Sequence, residues 1–87
     1  MKEILINCAS IGTREALHDA LAREMNFPDW YGRNLDALHD MLTSLSEETN
    51  LTLLHVSALP FPSAGLLRVL QESAGQNPNL KITLVTN

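Results

Sequence analysis

The chain has 87 residues and an apolar content of 45%, enough for one small globular domain, 1–87, rather than a disordered segment. Six basic against ten acidic residues give a net charge of −4, which argues against nucleic-acid binding, because phosphate affinity needs clustered Lys and Arg. The single cysteine, Cys8, allows neither an internal disulfide nor a paired-cysteine metal site, and no apolar run is long enough for a signal peptide or membrane span. Together these features predict a soluble, cytoplasmic protein.

Residues 3–8, rich in β-branched side chains, predict a short first strand. Thr13 is a plausible N-cap for a first helix whose Leu17, Ala20, Leu21 and Met25 recur at helical spacing. That helix should stop before Pro28, which disfavours helical geometry at Phe27. His18 is assigned to its surface.

Asn34 is a good N-cap for a second helix, with Asp36 in the first turn at the positive end of the helix dipole. Leu35, Leu38, Leu42 and Leu45 fall on one side. Asp36, His39, Asp40 and Thr43 are spaced i, i+3, i+4 and i+7 on the other. Five of the ten acids lie between 29 and 48, where Arg33 is the only base.

Residues 51–56 form the most continuous apolar run and predict a central strand, with His55 satisfied near the sheet edge. Residues 58–63, carrying Pro60 and Pro62, form a connector. A third helix follows, with Leu66, Leu67, Val69, Leu70 and Ala74 inward, Arg68, Gln71 and Glu72 outward, and Gly75 at its end. Residues 80–85 predict the last strand. This alternation implies an α/β fold: a three-stranded parallel sheet in order 1-2-3, covered by helices in two layers. The polar alternation of Lys81 and Thr83 leaves one sheet face wet.

Asp36 and Asp40 could serve as acid and base, but a convex helix face lacks the cleft that separates carboxylate pKa values. His39 could join them around a metal, yet three ligands on one exposed helix need more from elsewhere. Cys8 has the character of a buried structural thiol. The segment 7–12 lacks the glycines of a phosphate loop, so no cofactor is predicted. Trp30 and Tyr31 are adjacent in a loop bounded by Pro28 and Gly32. Neighbours in an extended segment point opposite ways, so Trp30 is expected outward as an interface anchor and Tyr31 inward.

The stretch Pro28, Trp30, Tyr31, Gly32, Asn34, Leu35, Asp36, Ala37, Leu38 and Asp40 resembles the barstar family of bacterial ribonuclease inhibitors, and the likeness extends over nearly the whole chain. The resemblance implies a cytoplasmic, antitoxin-like protein, monomeric when free, that binds a secreted ribonuclease of the barnase type 1:1 and plugs its RNA cleft. Under it, Asp40 takes the place of a substrate phosphate, Asp36 is a second acidic contact, and Trp30 packs over the catalytic histidine. Glu72 aligns with an acidic contact on the last helix, and Gly32, Asn34 and Thr43 match contact or loop-shaping positions. His39 stands where a better-known member has tryptophan, and Ser44 with Leu45 replaces a Gly-Trp pair. Those departures keep a second reading open, a module of this fold that recognises a different basic toxin nuclease. No metal or membrane enters either reading.

Overall fold

A computed structural model describes residues Met1–Asn87. The elements are β1 (Lys2–Asn7), α1 (Arg14–Met25), α2 (Leu35–Thr43), β2 (Thr49–Leu54), α3 (Ala64–Gln76) and β3 (Leu80–Leu84), with short 3-10 turns at Cys8–Ser10 and Val56–Ala58. The three strands form one parallel sheet in the order β1-β2-β3, as the alternation of elements predicts.

Register explains why one face is covered and the other is not. Ile4 pairs with Leu51 and Leu51 with Ile82, while Ile6, Leu53 and Leu84 form the next row. A period of two sends these rows to the same face, where they meet the helices. The intervening row of Leu5, Thr52 and Thr83 points to solvent, and Leu5 is largely exposed. There the Asn50 side chain bridges the strands, donating to Glu3 and accepting from Thr83. The protein is therefore two layers thick, and its leucine-rich core lies between sheet and helices.

Local chemistry sets the helix limits. Thr13 Oγ1 accepts from Ala16 N at 3.0 Å and starts α1. At its other end Asn26 adopts left-handed geometry (φ 61°), and the N–H groups of Asn26 and Phe27 both reach the Ala22 carbonyl. The end of α2 comes at Thr43, earlier than the leucine spacing suggests, and Leu45 lies half-buried beyond it. Asn77 secures this end, its buried amide donating to Leu42 O at 2.9 Å and to Leu45 O at 3.0 Å in the segment that follows.

The expectation for Gly75 is wrong. It lies inside α3, not at its end, and no glycine in the chain has positive φ. The helix instead stops at Asn77 (φ −126°, ψ 108°), which Pro78 pushes into extended geometry. His55 also departs from expectation. It follows β2 rather than lying in it, exposed, in left-handed geometry (φ 56°).

A Cβ added at Gly75 would meet nothing within 4 Å. Gly75→Ala should therefore raise the unfolding free energy by about 0.5–1 kcal/mol in urea titration. A loss of stability would mean that Gly75 holds a left-handed cap after all.

Candidate functional site

The segment from Phe27 to Asn34 links two helices that have no strand between them. The 12 residues of α1 span about 18 Å, a distance that an extended loop of this size can retrace. It does retrace it: Tyr31 meets His18, and Arg33 meets Asp19, on α1. The consequence is that α2 starts near the level at which α1 starts.

Tyr31 is the anchor of this return. It is 4% exposed, its ring lies 4.9 Å from that of Phe27, and its hydroxyl is 2.6 Å from His18 Nδ1. Burial pushes the phenol up to about 12, so it stays protonated, and the His18 tautomer sets which partner donates. His18 is thus buried, not on the surface as its position in the helix pattern suggested. Its neighbour Trp30 is 76% exposed, the split that backbone alternation predicts.

Arg33 takes left-handed geometry (φ 52°), a strain of roughly 1 kcal/mol for a non-glycine residue. Its Nε lies 2.5 Å from Asp19 Oδ1, a contact that ties this turn to α1. Gly32 allows the close approach that follows, since a Cβ there would stand 3.1 Å from Asn34 Nδ2 and 3.3 Å from Ala37 Cβ. Asn34 then caps α2, accepting from Ala37 N at 2.8 Å and donating to Gly32 O at 3.2 Å.

Along α2 the two faces separate as the spacing requires. Leu38 and Leu42 are fully buried, while Asp36 and Asp40 are exposed. His39 and Thr43 lie half-buried at the border. The Thr43 hydroxyl turns back on the helix, donating to His39 O at 2.8 Å, and Ser44 Oγ donates to Asp40 O at 2.6 Å. Neither aspartate has an ion-pair partner, because the two ion pairs of the chain are Arg23–Glu24 and Arg33–Asp19. Glu72 is exposed on α3, the helix packed beside α2.

The remaining groups with reactive potential are placed differently. Cys8 is fully buried, and burial raises its thiol pKa, the opposite of an activated nucleophile. Asp36 and Asp40 line neither of the two hollows in the surface. No three His, Cys, Asp or Glu side chains converge to hold a metal ion. No helix is long and apolar enough to cross a membrane.

Residues 1–82 match the family model for barstar, the barnase inhibitor. The chain belongs to the barstar family. It is also similar to the Bacillus subtilis (strain 168) protein named "Putative ribonuclease inhibitor YrdF", with 51% identity over 43 residues. That match covers 49% of this chain and 47% of the relative, about half of each. Within this barstar-family chain, the Arg33–Asp19 and His18–Tyr31 contacts are what sequence reasoning missed. Both join residues 13 or 14 positions apart, beyond the reach of helix periodicity.

The latch has a pH signature. Burial lowers the His18 pKa below the ordinary 6.5; Asp19 opposes this shift and Arg33 adds to it. The unfolded chain therefore binds a proton first as pH falls. The stability His18 contributes is complete above 6.5 and is lost as pH drops through the folded value. Between about pH 7.5 and 5, His18→Gln should lose less unfolding free energy than the parent. Equal losses in urea titrations would show that another group governs this window.

Proposed function

We propose that this protein is a 1:1 inhibitor of a secreted, barnase-type ribonuclease, acting in the cytoplasm as an antitoxin before the enzyme is exported. On this reading it is not itself an enzyme. The observation that carries the proposal is the pair of exposed carboxylates, Asp36 and Asp40, one helical turn apart and without internal partners, on the helix that follows exposed Trp30. Membership of the barstar family and the name of the Bacillus relative support the same partner class.

An RNA-cleaving cleft must be positive to hold a polyanion. A rigid acidic ridge is attracted to such a cleft from a distance and then held by charge-assisted hydrogen bonds. Asp40 stands in for a substrate phosphate, and Asp36 gives a second contact one turn earlier. Trp30 supplies a large apolar face to cover the catalytic histidine. Asn34 sets the angle at which the helix leaves the loop, while His39 and Thr43 border the contact and Glu72 extends it from α3. Preorganisation adds to affinity, since a loop already latched to α1 loses little entropy on docking.

Titration of the ribonuclease should abolish its activity at one equivalent. Asp40→Ala should weaken inhibition most, by roughly 30-fold or more, with Asp36→Ala and Trp30→Ala next. Added salt should slow association more than it speeds dissociation. If Asp40→Ala inhibited as well as the parent, the phosphate-mimic role would be wrong. Inhibition of a DNA-cleaving toxin instead of a ribonuclease would favour the second reading of the same ridge.

A further inference from the structure

The first turns of all three helices wall a hollow of about 460 Å³ beside the start of α2. Leu17 comes from α1, Leu35 from α2 and Leu66 from α3, and Phe61 closes the wall from the connector. Against this apolar lining stand two arginines, Arg14 and Arg33. Glu15 is the one acid that lines the hollow, and burial favours the neutral form of His18. Asp19, which does not line the hollow, offsets Arg33, so what the hollow offers is one unpaired cation, Arg14, rather than a net positive excess.

The two arginines are not equivalent. Arg33 is already paired with Asp19. Arg14 has no carboxylate partner, and its guanidinium lies over the Phe61 ring, 5.1 Å from the centroid. Stacking on an aromatic orients the planar fork while leaving its N–H edge free to donate. A volume in the range of small-molecule sites, an apolar wall and one oriented, unpaired guanidinium suit a carboxylate on a short apolar stem. Arg14 supplies the positive charge that faces the hollow, and the positive ends of the helices only reinforce it.

We propose that the hollow receives an aspartate or glutamate side chain from an acidic loop flanking the basic cleft of the ribonuclease. The inference rests on the inhibitor reading for its occupant, though the chemistry of the hollow stands without it. Continuity places the two contacts together, because Asn34 and Leu35 line the hollow and open the helix that carries Asp36 and Asp40. Positive charge here works against general attraction to a basic enzyme. It serves discrimination instead: a ribonuclease without the acid would bring its basic surface against unpaired Arg14.

The decisive variant is Arg14→Glu. It makes the chain more negative than −4, so attraction by net charge alone would tighten inhibition of a basic enzyme. The proposed contact has the opposite sign: inhibition should weaken, on the order of tenfold, through faster dissociation. The substitution lies in the first turn of α1, where an acid suits the helix dipole, so the fold should survive it and a thermal melt would check this. Unchanged or tighter inhibition by Arg14→Glu would overturn the proposal.

Asp40→Ala, run in parallel, separates the two readings. Loss with Asp40→Ala but not Arg14→Glu leaves the ridge and removes the hollow, and the reverse pattern leaves the hollow and removes the ridge. A partner-free arm uses phenylacetate and its neutral analogue phenylacetamide as probes in amide NMR titrations. Phenylacetate should shift Leu17, Gly65 and Leu66 saturably, whereas phenylacetamide, or phenylacetate with Arg14→Glu, should not. An equal response to both probes, or none to either, would overturn the carboxylate assignment. Saturable phenylacetate binding with inhibition unaffected by Arg14→Glu would make this a small-molecule site, also against the proposal.

Discussion

Tyr31 packs beneath the loop it belongs to, its ring on Phe27 and its hydroxyl on His18, and the placement of Trp30 and of α2 depends on that contact. The chain must travel back along α1 before α2 can begin, and a loop exposed throughout would have no reason to hold one path. One buried aromatic with a satisfied hydroxyl gives it that reason. The same contact sends Trp30 outward and brings Asn34 to the position from which it starts α2.

The charge layout follows from this arrangement. Arg33 is the only base within the acidic stretch, and in the folded chain it is occupied by Asp19 on α1 rather than by Asp36 or Asp40. Two carboxylates therefore project into solvent with no internal counter-ion. Their isolation leaves stability almost untouched, since exposed ion pairs contribute little, but it preserves the negative field that they project into solvent. At the far end of α2, Asn77 donates to the carbonyls of Leu42 and Leu45, so the helix carrying the acids is secured at both termini.

Much of this was legible in the sequence because it is local. Thr13 and Asn34 cap their helices through their own side chains, and the leucines of α2 bury as their spacing requires. Strand order and the wet sheet face followed from alternation. Two of the features that escaped notice depend on distant segments. His18 looks like any polar helix residue until Tyr31 returns to cover it. Arg33 gives no local hint of left-handed geometry, which Asp19 supports from α1. Gly75 was misread through a rule that applies to helix ends, while Pro78, the stronger stop, lay three residues further on. The Thr43 hydroxyl, legible only as a polar group, is spent on its own helix.

Trp30 is the only tryptophan in the chain and lies exposed on the loop between α1 and α2, apart from the core. The two halves of the molecule are thereby separated optically. Indole emission reports the surroundings of the loop, so under the proposed function a ribonuclease surface closing over it would change the spectrum while the core is undisturbed. Loss of the leucine core, by contrast, barely alters the solvent around an indole that is already wet, and must be followed through the amide chromophore of the helices. The protein carries an intrinsic probe that would distinguish the proposed docking from unfolding without any added label.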